Sequence, residues 1–252
     1  LKCRQLQGIP LLTVPPGTTQ VSSYIEARGG RFDKALFFGL QMFIKEYLTK
    51  PITNADVDEA KAIFEAHGVP FNEAGWRYIV EQYDGYLPIE IEAVPEGTVM
   101  PVKNAMVQVM NTDPKCAWLT SYVETALLRA VWYPTTVATV SYNCRKVIMK
   151  YLAETADNTD GIDFKLHDFG ARGATSEAAA AIGGAAHLVN FMGTDTISAI
   201  VAARRYYDAE MPGFSIPAAE HSTITCWGKE NEAAAYANML SQFGGEGKVV
   251  AV

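Results

Sequence analysis

Asp163-Phe-Lys-Leu-His-Asp-Phe-Gly-Ala-Arg-Gly173 opens the stretch that decides the fold. An Ala-rich run over 176–186 follows it. The same order then returns twice. His187-Leu-Val-Asn-Phe-Met-Gly-Thr-Asp-Thr196 precedes a helical pattern over 197–207, and Phe214-Ser-Ile-Pro-Ala-Ala-Glu-His-Ser-Thr223 precedes another over 229–242. A fourth apolar run, 248–252, ends the chain. Short apolar runs alternating with helical patterns of about ten residues predict βα units around a parallel sheet. Each polar cluster then falls at the carboxyl end of a strand, where active sites of open α/β sheets and barrels collect. The clusters hold Asp168, Phe169, Arg172, Asp195, Glu220, His221 and Ser222. Carboxylates, a cation, a histidine and an aromatic ring at one mouth point to a site.

The rest of the chain fits a globular protein of one or two domains. Its 252 residues are 49% hydrophobic and 19% charged, with a net charge of −7. That balance excludes broad attraction to nucleic acid and requires a local cationic pocket for any phosphorylated substrate. Cys3, Cys116, Cys144 and Cys226 show no CxxC spacing, so neither a zinc site nor a disulfide framework is expected, and a reducing, cytoplasmic setting fits. No apolar run approaches a membrane span and no signal-peptide pattern is visible.

Before the repeats, the pattern is mixed α+β. Pro15-Pro-Gly-Thr-Thr19 is a turn, and a strand is expected over 21–27. Arg28-Gly-Gly-Arg31 reads either as a solvated turn or as a phosphate grip, since glycine admits close approach and arginine offers a fork. Asp33 is expected to cap a helix reaching Leu48. Further helices are expected after Thr53 and after Asn72, with His67 at the carboxyl end of the first of them. Residues 87–110 predict antiparallel strands turning at Pro95-Glu-Gly97 and Lys103-Asn104, with Glu90, Glu92 and Glu96 on the solvated face. Thr112-Asp113-Pro114 starts a helix that Pro134 is expected to interrupt, and a second helix follows over 136–154. The polar turn Asp157-Asn-Thr-Asp-Gly161 marks the expected boundary between a domain over 1–156 and one over 157–252.

The wording of several segments goes beyond pattern. Lys165-Leu-His-Asp-Phe-Gly-Ala-Arg-Gly173, Asn190-Phe-Met-Gly-Thr-Asp-Thr196 and Ile216-Pro-Ala-Ala-Glu-His-Ser-Thr-Ile224 resemble the nicotinamide phosphoribosyltransferase family. So do Gly75-Trp-Arg-Tyr78 and the residues following it to Val99, Asn111-Thr-Asp-Pro114 and Trp132-Tyr-Pro-Thr-Thr-Val-Ala-Thr139. The resemblance spans roughly residues 15–252. It implies an α/β fold: the first part of a type II phosphoribosyltransferase barrel behind a mixed α+β domain. It implies transfer of phosphoribose from phosphoribosyl pyrophosphate to nicotinamide, giving nicotinamide mononucleotide and pyrophosphate in NAD salvage. Mg²⁺ would accompany the pyrophosphate, ATP would be a coupled phosphoryl donor, and a homodimer would share its active sites.

By the same resemblance, Phe169 stacks on the pyridine ring and Arg172 contacts the base and phosphoribosyl group; a surface pair between Arg172 and Asp168 is the alternative. Arg28 reaches the phosphates across the dimer, Ser215 and Ala218 bind substrate, and His221 is phosphorylated by ATP. Imidazole is a competent nucleophile at neutral pH. Asp195 accepts the carboxamide N–H, and by residue type it is also a good cap for the following helix. An acid here disfavours nicotinate, whose own charge would face it. His167 and His187 are read as hydrogen-bonded structural residues, and Gly183-Gly184 as a close helix contact. No protein metal ligands are expected. A hydrolase triad is rejected, because no Gly-x-Ser-x-Gly elbow is present.

The family carries an Asp-Ser-Tyr-Lys segment ahead of the Pro15 turn, and residues 1–14 lack that tyrosine. Both ends are read as cut, so the chain is expected to be part of a longer protein and inactive alone. The alternatives are a nicotinate-specific relative, or a fragment that binds ligand or dimerises without turnover.

Overall fold

The computed structural model describes residues 15–252. The atypical stretch 1–14 lies outside them.

A three-stranded antiparallel sheet begins the fold. Its central strand, β5 (Ala105–Asn111), is flanked by β1 (Ser22–Glu26) and β3 (Ile89–Ala93), with Val109 opposite both Ser23 and Ile91. Val107 and Val109 face inward. They join Ile25, Trp76, Ile79, Leu119, Val123 and Leu127 in the larger of two apolar cores. Trp76 and Ile79 come from a helix over Glu73–Gln82, capped by Asn72. The helix before it, Asn54–His67, starts in a reciprocal capping box between Thr53 and Asp56 and ends at Gly68 in the left-handed region. All of this follows the sequence pattern, because the stop and start signals are local.

Residues 33–48 depart from expectation. No helix runs from Asp33. Lys34–Leu36 is strand β2, paired antiparallel with β4 (Val99–Pro101). Helix α1 (Leu40–Phe43) starts only after Gly39 and widens into a π-type turn over Ile44–Leu48. The other edge of the β2 segment bonds to threonine hydroxyls: Leu36 N–H donates to Thr139 Oγ1 at 2.9 Å and Phe38 N–H to Thr135 Oγ1 at 3.2 Å.

Those threonines belong to one helix, Ala117–Thr155, which runs 39 residues straight through Pro134. The expected interruption does not occur. Proline removes one N–H and crowds the preceding turn. Here the neighbouring segment is built to fit that turn, with Gly39 lying against the Pro134 ring and the Ala130 carbonyl. Glu96 also departs from expectation. It does not face solvent freely; its carboxylate accepts the Gln41 N–H and the Tyr207 hydroxyl, each at 2.6 Å. The cost of burial and the charge of Glu96 hold the Tyr207 phenol protonated, well above its ordinary range.

The repeats make the second half of the fold. Strand β6 (His167–Asp168) pairs in parallel with β7 (Gly193–Thr194), Gly193 bridges in parallel to Phe214, and Ala218 bridges in parallel to Ala251. Helices Glu177–His187, Ile197–Tyr207 and Glu232–Phe243 fill the crossovers. The parallel βα order is as expected, although the paired strands are only two residues long, and no closed sheet forms among the described residues. Gly183 lies against the Tyr133 hydroxyl and Gly184 against Ala199, so this pair does serve close packing. A second core runs across the polar turn at 157–161. It joins Leu36, Phe38, Met42 and Ala138 to Ala185, Ala186 and Ala202.

Asp113 anchors the long helix. It caps the turn Pro114–Cys116 through the Lys115 N–H at 2.7 Å and accepts the phenols of Tyr83 at 2.6 Å and Tyr78 at 2.8 Å. Asp113→Ala should destabilise the fold by about 2 kcal/mol in urea denaturation, as a lost cap does. The Tyr83 hydrogen bond, then the Lys115 N–H and Tyr78, hold its carboxyl below the usual range. A folded pKa below the unfolded one stabilises above the unfolded value, about 4. That share should vanish as pH falls through the folded value, and the pH dependence should flatten in the alanine variant.

Candidate functional site

Three successive strand ends deliver the site. His167 opens β6 and Phe169 follows its end, their rings 6.3 Å apart and 27° from parallel. Asp195 follows β7 directly, with its N–H donating to the Asp168 carbonyl at 2.7 Å. Ser215 follows Phe214 on the next parallel run. Both neighbours reach the same Asp195 oxygen: His167 Nε2 lies 2.9 Å from Oδ1, and Ser215 Oγ donates to Oδ1. Ser215 first, and His167 next, hold the Asp195 carboxyl below its ordinary range. No described donor reaches Oδ2.

A second chain of contacts joins the segments that follow β6 and the Ala218 bridge. Arg172 Nη2 donates to Glu220 Oε2 at 3.0 Å, and Glu220 Oε1 lies 2.5 Å from His221 Nδ1. The Arg172 guanidinium holds the Glu220 carboxyl below its usual range, with His221 a smaller contributor. His221 is the first residue of a short helix, His221–Thr225. Phe169 is 69% exposed, so most of the residue is open to solvent.

Phe169, Asp195 and Ser215 are thus linked through His167, while Arg172 and His221 meet at Glu220. Arg172 pairs with Glu220 and not with Asp168, whose Oδ1 instead accepts the Gly170 N–H at 2.9 Å. Asp195 does not cap the following helix with its side chain. Thr196 occupies that position, and its N–H is taken by the Thr194 hydroxyl at 3.0 Å. The Asp195 carboxylate is left to the site. Ala218 lies at the bridge to Ala251, exposed. Arg28 is exposed beyond β1, and no hydrogen bond or ion pair among the described residues joins it to the other site residues.

His187 is structural, as expected. It is buried, stacked on Phe191, and its Nδ1 lies 3.1 Å from Ser141 Oγ; burial pushes its pKa down. His167 is hydrogen-bonded, as expected; the partner, the Asp195 carboxylate, was not legible in the sequence. No group of three or more His, Cys, Asp or Glu side chains converges as a metal site among the described residues.

Residues 12–91 match the family described as nicotinamide phosphoribosyltransferase, N-terminal domain, and residues 164–249 match the nicotinate phosphoribosyltransferase family. The chain is 56% identical to a nicotinamide phosphoribosyltransferase of Xanthomonas campestris over 242 residues, 96% of this chain and 52% of that one. It is 31% identical to the enzyme of the same name from Acinetobacter baylyi, over 90% of this chain and 48% of that one. The chain therefore spans about half the length of these relatives. The fold is similar to the crystal structure of human nicotinic acid phosphoribosyltransferase, with a TM-score of 0.57 at 18% identity, covering 83% of this chain and 37% of that one.

Proposed function

Because this chain belongs to the nicotinamide phosphoribosyltransferase family, as the counterpart of its N-terminal half, we propose that it serves the synthesis of nicotinamide mononucleotide and pyrophosphate from nicotinamide and phosphoribosyl pyrophosphate. The observation that carries this reading is the pairing of an open aromatic face with a carboxylate that has one oxygen unclaimed. A neutral pyridine carboxamide matches both. Its flat ring covers Phe169, and its amide N–H donates to Asp195 Oδ2. Nicotinate offers only acceptors there and would set charge against charge.

In this reading the pyridine nitrogen attacks the anomeric carbon while the bond to pyrophosphate breaks, and pyrophosphate leaves with the electron pair. The protein positions the two reactants and balances phosphate charge. Arg172 supplies a guanidinium beside the base, and Ser215 and Ala218 line the same mouth. Arg28 acts from the second copy in a homodimer. Mg²⁺ enters with the pyrophosphate, on the substrate's own oxygens. The parallel series becomes the first part of an α/β barrel, with residues 157–252 as its share and the residues before them as the mixed domain. A cytoplasmic setting accords with this role. No described helix is long and apolar enough to cross a membrane.

Glu220 gives His221 a role. It holds Nδ1 and leaves Nε2 outward, so Nε2 can attack the γ-phosphorus of ATP, with ADP leaving. Labelled nicotinamide, phosphoribosyl pyrophosphate, Mg²⁺ and ATP test the whole reading. This chain should bind nicotinamide. When it is extended by the sequence corresponding to the second half of the Xanthomonas relative, it should form the mononucleotide. ATP should leave an acid-labile phosphate that His221→Ala lacks. Absence of nicotinamide binding by both polypeptides would overturn the assignment.

A further inference from the structure

We infer that His167 is a positioning residue for specificity: with Ser215 it commits one Asp195 oxygen to the protein and thereby presents the other to the ligand's amide. The inference rests on the nicotinamide reading of the same site and adds the group that makes the acid selective.

Three observations carry it. First, both donors converge on Oδ1, His167 Nε2 at 2.9 Å and Ser215 Oγ from the next strand end. A carboxylate held by a single donor can turn and exchange its oxygens. Two donors on one oxygen, arriving from different strands, fix the plane of the group. Second, the imidazole is itself confined. Its ring lies near-parallel to that of Phe169 with centroids 6.3 Å apart, and a Cβ at Gly193 would come 2.7 Å from Nδ1. The glycine thus makes the space the ring occupies. Third, the carboxylate is not spent on the next helix, whose N-cap is Thr196 and which has no side-chain cap hydrogen bond. His167 therefore couples the stacking surface to the acceptor. The ring that packs beside Phe169 also sets the acceptor's direction, so a planar ligand can satisfy both at once.

Nε2 must donate in this arrangement, since the carboxylate only accepts. A glutamine amide can do the same from a similar reach, whereas a leucine fills the space and donates nothing. Two measurements on the 252-residue chain separate this role from a general packing role. The first is the carboxyl titration of Asp195, followed by ¹³C resonances with and without Asp195→Asn for assignment. Its midpoint should rise in His167→Leu and return part of the way in His167→Gln. The second is binding of nicotinamide and of nicotinate, each added alone. Leu at 167 should weaken nicotinamide about tenfold and leave nicotinate nearly unchanged, and Gln should keep most of the nicotinamide affinity. Thermal melts confirm that both variants are folded.

An Asp195 midpoint unmoved by His167→Leu overturns the inference, and it does so whether or not any ligand binds. Equal weakening of both ligands also overturns it, because that is what a distorted pocket would give. Failure of the unaltered chain to bind nicotinamide is a different result. It strikes the proposed function, while the titration still decides how Asp195 is held.

Discussion

Gly39→Ala should cost about 4 kcal/mol of stability. Two costs combine. Gly39 sits at φ 108° and ψ −10°, outside the regions open to a residue with a Cβ. Such strain costs about 1–3 kcal/mol. The methyl group would also press into the Pro134 ring and lie 2.9 Å from the Ala130 carbonyl oxygen. Overpacking of this kind costs about 1–3 kcal/mol more. Relief would require the strand segment to leave the helix, and Phe38 would then lose its contacts with Thr135 in both directions. Urea denaturation followed by the fluorescence of the buried Trp76 and Trp118 measures the loss. Gly97→Ala is the control. Its φ is 89°, but nothing lies within 4 Å of the added carbon, so it carries the strain alone. Equal losses in the two variants would show that the fit between Gly39 and Pro134 is energetically idle.

This contact also shows where the sequence could be read and where it could not. Thr53, Asp56 and Gly68 bound a helix by hydrogen bonds within a few residues of one another, so they were legible. The alternation of apolar runs and helical patterns after residue 163 was legible for the same reason, since each unit carries its own period. Lys34–Leu36 was not, because what makes it a strand is Val99–Pro101 on one edge and two threonines a hundred residues away on the other. The local pattern of Leu36, Phe37, Leu40 and Phe43 fits a helix equally well, and tertiary pairing decided against it. Pro134 misled in the opposite direction. A local rule for stopping helices was overridden by a neighbour shaped to accept the proline.

The site divides along the same line. Phe169, Asp195 and Ser215 follow adjacent parallel runs and are tied together around His167 and Asp195, while Arg172 and His221 meet at Glu220. What could not be read was partnership. Asp195 also looked able to cap a helix, and only the structure shows its carboxylate bonded by His167 and Ser215 with no side chain capping that helix. Glu220 could not be assigned to Arg172 and His221 until the two loops were seen together.

The largest functional effect should follow Asp195→Ser, which is expected to reverse the preference between the two vitamers. The carboxylate does two separable things. In the proposed function it accepts the amide N–H of nicotinamide, and its charge opposes the carboxylate of nicotinate. Losing a hydrogen bond to a charged acceptor weakens nicotinamide about tenfold. Removing a like charge at contact distance strengthens nicotinate by a similar factor, once discounted because the Asp195 side chain is 47% exposed. The ratio of affinities should therefore swing about a hundredfold. The two donors now committed to Asp195 Oδ1 add to this. With the acid gone, His167 Nε2 and Ser215 Oγ point at the space the carboxylate left, and an incoming nicotinate carboxylate can take both. Serine contributes a third donor and no charge. Competition binding of the two ligands to the serine variant reads the swing directly. The donor effect is isolated by repeating the measurement with His167→Leu in the same chain, where the gain for nicotinate should shrink while the loss for nicotinamide stays. If nicotinate gains nothing in the single variant, Asp195 does not face the ligand's carboxyl position, and the selectivity of this site must arise elsewhere.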